Sequence, residues 1–395
     1  MGATSLGLGK KSLFALIPGL LLLIGLEVVQ RVRYFGFTDK VFYLNISNAF
    51  SSPQRPKPGP NIYEFRKVSY TDGFGGGYYK GVPGRYLHRF RDHEGKEKTV
   101  RYTINSRGFR SGEFSPVKGK NVKRLIVIGG SSTMGVESPD EHTFPARLER
   151  ELRRRFPGRK YEVINAGFVG YFSNHLLSIV RGELLSYDPD VILMYASYND
   201  TAHERHITQR PVRSGWWGVL YAAHFQLYRR SLLYITAVEK FSLWRTGNPI
   251  PSLEIDDRYR KRFEENILEL IRVCRSNKVK LIIILQPLAL SEGVAEFLRG
   301  MSSDELAGLL RSGKFAAQAQ VLQSVRQKVL LARLVEFAKT HGLAVVNPLP
   351  LFEENKAKGR VLFEDIVHLT PEGNALLADF IAGAGLFRGM ISSKF

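Results

Sequence analysis

Cysteine is nearly absent from this sequence, since Cys274 is the only one among 395 residues. A single thiol excludes an intrachain disulfide and a cysteine-rich metal site. Apolar neighbours, Ile271, Val273 and Val279, surround it in the sequence. Because free cysteine behaves as a small hydrophobic residue, we expect Cys274 to be a buried structural thiol.

Acidic residues are scarce relative to basic ones. The chain has 57 Lys and Arg against 37 Asp and Glu, a formal net charge of +20. Such a protein is attracted to polyanions, whether nucleic acid, anionic lipid headgroups or acidic polysaccharide. A C2H2 spacing, an RNP-type aromatic motif and a helix-turn-helix signature are all missing, so we expect no nucleic-acid partner. The histidines show no convincing ligand spacing, even at His203 and His206, so we expect no metal and no cofactor.

The N-terminus contains an apolar run that extends from Leu13 to Val29, with Glu27 as its one acidic residue. At about 1.5 Å per helical residue, the run just crosses a hydrocarbon core of roughly 30 Å. No small-x-small cleavage site follows it, which favours an uncleaved signal anchor over a cleavable signal peptide. We therefore predict a transmembrane helix within residues 1–33 and a single-pass membrane protein. Basic residues flank both ends, and we place the following domain outside the cytoplasm by analogy with other N-terminal anchors.

Composition then divides the rest of the chain. Residues 34–61 are rich in Ser, Pro, Asn and Lys, which predicts a juxtamembrane linker. Residues 62–120 hold short aromatic and β-branched segments broken by a glycine cluster, which predicts a small β-rich cap. Residues 121–395 form the predicted main domain, and residues 205–262 form an insertion within it that is rich in aromatic and basic side chains.

Strand and helix patterns alternate through the main domain. Short apolar runs predict strands at Arg124–Gly130, Tyr161–Gly167, Asp190–Ser197, Val279–Pro287 and Leu343–Pro348. Helical spacing predicts helices at Phe144–Phe156, Ser173–Ser186, Arg260–Ser276, Val321–His341 and Thr370–Gly385. This alternation predicts an α/β fold with a parallel sheet covered on both faces. In such sheets the site lies at the carboxyl ends of the strands.

Polar blocks follow the predicted strands. The first strand ends in Gly-Gly-Ser-Ser-Thr-Met-Gly (129–135), the second runs into residues 165–171, and the third ends in Ser-Tyr-Asn-Asp (197–200). Asp365 and His368 follow the fifth strand. An ester-cleaving site needs a nucleophile, a base, a group that orients the base, and donors for the oxyanion. These blocks contain all four.

In order and spacing the blocks resemble those of the GDSL/SGNH hydrolases, a superfamily of serine esterases. The first block of that family reads Gly-Asp-Ser-x-(Ser/Thr)-x-Gly, and Gly130 stands here at the Asp position. The second block supplies a glycine, which by register is Gly170. The third reads Gly-x-Asn-Asp, with Ser197 here in place of the glycine. The last, Asp-x-x-His, is matched without departure by Asp365 and His368.

The resemblance covers roughly residues 100 to 385, including a segment, Tyr102–Ser111, that is similar to one upstream of the catalytic domain in bacterial members. It implies the SGNH hydrolase fold, a flavodoxin-like three-layer sandwich. It also implies that the oxyanion binds the backbone N–H groups of Ser131 and Gly170 and the side-chain amide of Asn199.

Chemistry assigns the remaining roles. A hydroxyl is a poor nucleophile without an adjacent base, so Ser131 would attack the ester while His368 takes its proton. Asp365, three residues earlier, would orient the imidazole. Ser132 is the rival nucleophile, and the motif register favours Ser131.

Each of these residues also has a purely structural interpretation. Ser131 could be a helix N-cap, and Gly170 could serve only a tight turn. Asp365 and His368 could be a surface pair ahead of a closing helix that starts at Thr370. Taken together, four blocks in the family order favour a catalytic site.

The sequence thus predicts a membrane-anchored serine hydrolase that hydrolyses or transfers an acyl ester, O-acetyl foremost, on a cell-surface glycan. Its partners would be an ester-bearing polysaccharide or lipid, and the membrane through the N-terminal helix. The insertion at 205–262 is either a lid or substrate platform, or a helical pair that packs on the core. One alternative function is a lysophospholipase or thioesterase at the membrane. Another is a non-catalytic glycan-binding or assembly module, which the departures at Gly130 and Ser197 keep open.

Overall fold

The computed structural model describes residues 22–30, 32, 65–69, 77–195, 197–202, 231, 233–234, 237, 257–289 and 315–385. The chain divides into two compact units, of which one combines residues 1–58 with 212–249. The other combines residues 59–211 with 250–395.

The first unit contains a helix over residues 22–30 whose apolar side chains are largely exposed. Glu27 on this helix accepts hydrogen bonds from the Ser231 hydroxyl at 2.7 Å and from the Leu233 backbone N–H at 2.8 Å. The one acidic residue of the apolar run is therefore engaged by residues from the predicted insertion.

Among the described residues, no helix is both long enough and apolar enough to cross a bilayer. The transmembrane helix predicted within 1–33 lies in large part outside the described residues, as do the linker at 34–61 and most of the insertion at 205–262. His203 and His206 lie outside them too.

Two antiparallel hairpins open the second unit. Strand β1 (Phe65–Ser69) pairs with β2 (Gly77–Gly81), and β3 (Gly84–Arg91) pairs with β4 (Glu97–Ile104). Both hairpins lie in the segment 62–120, where the sequence predicts short strands.

A five-stranded parallel sheet follows, and the prediction of an α/β fold with a parallel sheet is confirmed. Its strands are β5 (Val122–Gly129), β6 (Lys160–Gly167), β7 (Val191–Tyr195), β8 (Lys280–Ile284) and β9 (Ala344–Val346). They lie in the order β6-β5-β7-β8-β9. The first strand of this sheet, β5, thus lies between β6 and β7, which places the carboxyl ends of these three strands side by side.

Helices cover both faces of this sheet. They are α1 (Ser131–Met134), α2 (Phe144–Arg155), α3 (Ser173–Gly182), α4 (Tyr198–Ala202), α5 (Asp257–Ser276), α6 (Phe315–Thr340), α7 (Leu349–Ala357) and α8 (Pro371–Gly383). The hydrophobic core has two clusters, one on each face of the sheet. Side chains of α3, α5 and α6 contribute to one cluster, and side chains of α2, α7 and α8 contribute to the other.

Strand β5 shows why both faces are covered. Successive side chains of a strand point to opposite faces. Ile126 and Ile128 lie in the core with α3 and α5, whereas Leu125 and Val127 lie in the core with α2 and α8. An uninterrupted apolar run therefore needs a helical layer on each side. Cys274 on α5 is buried as predicted, and burial raises the pKa of its thiol to about 12.

Element boundaries agree with the sequence patterns to within a few residues, and the exceptions have local causes. Helix α8 begins as predicted, because the Thr370 hydroxyl accepts the Gly373 N–H at 3.0 Å and Pro371 occupies the first turn. Strand β7 ends earlier than predicted, since Ser197 has a φ of 139°, outside the range of a strand. Helix α7 was not predicted.

Candidate active site

The turn that carries Ser131 lies at the carboxyl end of β5. Helix α1 begins at Ser131 directly after the strand and ends after one turn at Gly135, which has a left-handed φ of 75°. The N–H of Gly135 donates back to the Ser131 carbonyl at 2.8 Å. This short helix holds Ser131 at the sheet edge where parallel α/β proteins bind ligands.

A buried arginine from the upstream segment holds the end of this helix. The Arg110 guanidinium donates to the carbonyls of Met134 at 3.1 Å and Gly135 at 2.6 Å, and also to the Ser138 carbonyl. Its Nε donates to Asp140 at 3.0 Å. These bonds satisfy carbonyls that a one-turn helix leaves without intrahelical partners.

Ser131, His368 and Asp365 form a continuous hydrogen-bonded chain. His368 Nε2 lies 2.8 Å from Ser131 Oγ, and His368 Nδ1 lies 2.7 Å from Asp365 Oδ2. The other carboxylate oxygen, Oδ1, accepts the backbone N–H groups of Val367 at 2.8 Å and His368 at 2.7 Å. Burial opposes ionisation of Asp365, but the hydrogen bonds from His368 hold its pKa below the usual range. This is the geometry that a nucleophile, a base and an orienting carboxylate require.

A second carboxylate approaches the same imidazole. Glu137 Oε1 lies 3.3 Å from His368 Nδ1, and the glutamate side chain is 10% exposed. Burial raises the pKa of Glu137. Burial alone would lower the pKa of His368, but the charge of Glu137 and the hydrogen bond with Asp365 outweigh it and raise that pKa above its ordinary value.

Ser132 points away from this chain. Its hydroxyl donates to the Val367 carbonyl at 3.2 Å and accepts from Gln286 Nε2 at 3.0 Å. The side chain is buried. The rival nucleophile therefore ties α1 to the loop that carries His368, and it lies away from the imidazole that could activate it.

Asn199, on α4, lines the same crevice as Ser131. Its amide Nδ2 donates to the Tyr171 carbonyl at 2.9 Å. A Cβ at Gly130 would lie only 2.8 Å from that nitrogen. Glycine at position 130 therefore leaves room for the Asn199 amide.

Gly170 lies just before Tyr171 with a left-handed φ of 73°, which favours glycine. Ser131 and Asn199 line one small crevice, together with Gly130, Ser132, Tyr171, Ser197, Tyr198 and Gln286. Gly170 is not among these lining residues. The structure thus brings Ser131, His368, Asp365 and Asn199 together, and Gly170 directly precedes Tyr171, a residue of the crevice wall.

Three of these side chains also have the chemistry of metal ligands. One atom each from Glu137, Asp365 and His368 lies within 4.8 Å of the others. The imidazole nitrogen at both carboxylates is Nδ1, and Nε2 faces Ser131. Two carboxylates around one ring nitrogen also suit hydrogen bonding to the imidazole.

Comparison with protein families decides the relationship. The GDSL-like lipase/acylhydrolase family matches residues 127–376, a range that contains all four blocks. The chain belongs to this family. It is accordingly an enzyme that hydrolyses ester bonds.

Solved structures with a similar chain path include other members. A lipolytic G-D-S-L family protein from Veillonella parvula is 13% identical, with 67% of this chain and 98% of that chain covered and a TM-score of 0.38. A GDSL-like lipase from Bacteroides thetaiotaomicron is 18% identical, with 66% and 87% covered and a TM-score of 0.36. A catalytic mutant of an acetylxylan esterase from Geobacillus stearothermophilus is 12% identical, with 66% and 92% covered and a TM-score of 0.37. No curated protein matches the chain.

This GDSL-like hydrolase departs from the family pattern at Ser197. The residue has a φ of 139°, a region that favours glycine. Its hydroxyl accepts a hydrogen bond of 2.6 Å from Gln327 Nε2, and both side chains are buried. That bond offsets part of the backbone strain and fixes the start of α4, on which Asn199 lies.

Sequence patterns missed two residues of this hydrolase, Arg110 and Glu137. Arg110 lies within the predicted upstream segment, but the segment says nothing of what the side chain holds. Glu137 contacts His368 across 231 positions of the chain. No local periodicity reports such a contact, and a buried glutamate is rare enough that its position is not expected from sequence.

Proposed function

We propose that this hydrolase cleaves or transfers a small O-acyl ester, O-acetyl foremost, with Ser131 as nucleophile, His368 as base and Asp365 as the group that orients it. The observation that carries the proposal is the pair of contacts at 2.8 Å and 2.7 Å that joins the three side chains. A hydroxyl in contact with an oriented imidazole is the nucleophile that ester cleavage needs.

The reaction follows from these contacts. As Ser131 Oγ bonds to the ester carbonyl carbon, its proton passes to His368 Nε2 and the carbonyl oxygen becomes an oxyanion. The Ser131 and Gly170 N–H groups and the Asn199 amide are the proposed oxyanion donors. The alcohol leaves with the proton from His368, and an acyl-Ser131 ester remains. Water, or a second hydroxyl in a transfer reaction, then attacks that ester with His368 again as base.

The polarity of the crevice supports a short acyl group. Most of its wall is hydroxyl, amide and glycine. Ser197 adds a side chain where the family pattern has glycine. A pocket of this kind accepts an acetyl group, but a long alkyl chain would find little apolar surface in it.

A neighbouring cavity favours the lipid alternative, a lysophospholipase or thioesterase. Its volume is about 250 Å³, and it shares Gln286 with the crevice. Its apolar lining includes Leu285, Leu288, Leu331, Ala332, Val335 and Leu349. An acyl chain that passed Gln286 would reach this surface.

Chain-length preference separates the two. We expect the full chain to hydrolyse p-nitrophenyl acetate with kcat/KM at least ~10-fold above that for the laurate ester, since a long chain gains little in a small polar pocket. Ala332→Trp narrows the larger cavity, and Arg333→Trp is the matched control on the same helix. Laurate preference that is lost in Ala332→Trp alone would favour the lipid function. Equal acetate hydrolysis by wild type and Ser131→Ala would rule out the mechanism.

We further propose an acetylated cell-surface glycan as acceptor and residues 1–33 as a membrane anchor, with the catalytic unit outside the cytoplasm. The net charge of +20 supports an anionic partner. The apolar run Leu13–Val29 supports the anchor. Acetate release from acetylated glycans tests the first part. Sedimentation with membranes by the full chain, compared with a chain that lacks residues 1–33, tests the second.

A further inference from the structure

Glu137 is a buried carboxylate that the mechanism above does not use. Its Oε1 lies 3.3 Å from His368 Nδ1, while Asp365 Oδ2 lies 2.7 Å from the same nitrogen. One imidazole N–H therefore faces two carboxylates that come from chain segments far apart in sequence.

The turn that presents Glu137 is fixed on both sides. Arg110 donates to the carbonyls of Met134 and Gly135 before it and to the Ser138 carbonyl after it. The Asn374 amide of α8 donates to the Ser138 hydroxyl at 3.0 Å. These bonds fix the backbone on both sides of Glu137, so its side chain is held toward the imidazole.

The electrostatics of Glu137 point the same way. Its second oxygen, Oε2, is buried and has no hydrogen-bond partner within the part of the chain that the structure describes. Burying an ionised carboxylate is unfavourable unless a positive charge lies nearby. The ion-pair partner at hand is His368, which carries the matching positive charge whenever its imidazole is protonated.

We propose that Glu137 is a positioning residue that acts through His368: together with Asp365 it forms a two-carboxylate cradle that stabilises the imidazolium and keeps the ring oriented when Asp365 is lost. This rests on the proposed role of Ser131 and His368 and goes beyond it, because three residues suffice for that role. The resulting tetrad predicts that the two carboxylates substitute for each other in part.

A double-mutant cycle in the full chain tests this with p-nitrophenyl acetate as substrate. Loss of the orienting aspartate in a serine hydrolase costs on the order of 10⁴-fold in kcat when nothing replaces it. We expect Asp365→Ala to cost only about 10²-fold here and Glu137→Gln about 3-fold, with the double variant near the full ~10⁴-fold. A loss greater than the product of the single losses is the signature of shared work.

The pH dependence supplies a second readout. The ionisable groups that face His368 are Glu137, Asp365 on its own loop, and His88 on β3. Burial, His368 and Arg110 lower the pKa of His88 to about 4, so His88 is neutral in the working range. Glu364 and Tyr198 act on the carboxylates of the cradle.

Glu137 stabilises the protonated imidazole, so its charge raises the pKa of His368. Because only the neutral imidazole is a base, kcat/KM rises with pH through that pKa. Glu137→Gln should shift this rise in kcat/KM to lower pH. Glu137→Asp keeps the charge and should leave the rise near its wild-type pH. Glu141→Gln, which neutralises an exposed glutamate of the same chain segment, is the matched control. It should change neither the pH dependence of kcat/KM nor kcat itself.

The outcomes are distinct. The inference alone is overturned under three conditions. Activity depends on Ser131, Glu137→Gln does not shift the pH dependence of kcat/KM, and the double variant loses only the product of the single losses. If Glu137→Gln fails to fold, Glu137→Met, which also removes the charge, replaces it in the cycle, and a pure product of losses there has the same meaning. An enzyme without Ser131-dependent turnover overturns the proposed function, and this inference with it.

Discussion

Single residues at the strand ends decide whether the proposed oxyanion donors fit. The Asn199 amide lies close to Gly130 because this residue has no side chain, and Asn199 is presented by a turn whose first residue, Ser197, has a φ of 139°. The departure at Gly130 therefore need not weaken the site. An aspartate at position 130 would require Asn199 to move aside.

Gly130→Ala tests this close approach. The backbone at Gly130 has φ −88° and ψ −154°, which an alanine can adopt, so the fold should tolerate the change. The new methyl would meet Asn199 Nδ2 at 2.8 Å and displace the amide. Since one oxyanion donor contributes about 10²- to 10³-fold, we expect kcat to fall by at least ~10²-fold, close to the loss in Asn199→Ala. Gly158→Ala, where a Cβ meets nothing within 4 Å, is the control.

At the scale of elements, the strands and most helices were predictable, because a parallel sheet buried on both faces leaves apolar runs in the sequence. Three of the four blocks were visible for the same reason, since each follows such a run, whereas Asp365 and His368 were visible through their Asp-x-x-His spacing. Helix α7 lacked a comparable signal, because it begins in a Pro-Leu-Pro-Leu sequence (348–351) with no apolar stripe of helical spacing.

Contacts between distant elements were not predictable. Arg110 and Glu137 act through contacts with groups that are distant in the sequence. Those contacts exist only when the β-rich segment packs against α1 and the loop that carries His368 packs beside it. Burial of an arginine or a glutamate leaves no periodic trace in a sequence. Site composition was therefore accessible from the sequence, whereas the support around the site was not.

Arg110→Met should destabilise this junction. The variant removes a buried guanidinium and leaves the carbonyls of Met134, Gly135 and Ser138 without their donor. A carbonyl that loses its hydrogen-bond donor away from water costs about 1–3 kcal/mol, so we expect a decrease of at least ~2 kcal/mol in the free energy of unfolding. Urea denaturation measures it, with Arg101→Met on the exposed face of β4 as control. A decrease no larger than in the control would contradict the assignment of Arg110 to this junction.

At the scale of the whole molecule, charge is the dominant property. A net charge of +20 attracts anionic substrates over distances comparable with the Debye length, about 10 Å at 0.1 M salt. The attraction weakens as salt rises, whereas Ser131, His368 and Asp365 are in direct hydrogen-bond contact and their interactions depend less on salt.

Ionic strength should therefore separate substrates by charge. For an acidic acetylated polysaccharide, we expect kcat/KM to fall by about 10-fold between 20 and 500 mM salt. For neutral p-nitrophenyl acetate, the same change should be less than ~2-fold, because no long-range attraction is lost. Initial rates of acetate release measure the first, and absorbance measures the second. An equal response of both substrates would show that the charge does not act on substrate binding.

The activation of Ser131 by His368 is the central claim, and covalent labelling tests it most directly. The full chain is treated with a fluorophosphonate, digested, and the modified peptide is located by mass spectrometry. The account predicts one adduct on Ser131 that is absent in Ser131→Ala and at least ~10³-fold slower in His368→Ala. An adduct on Ser132, or labelling of Ser131 at an unchanged rate without His368, would contradict it.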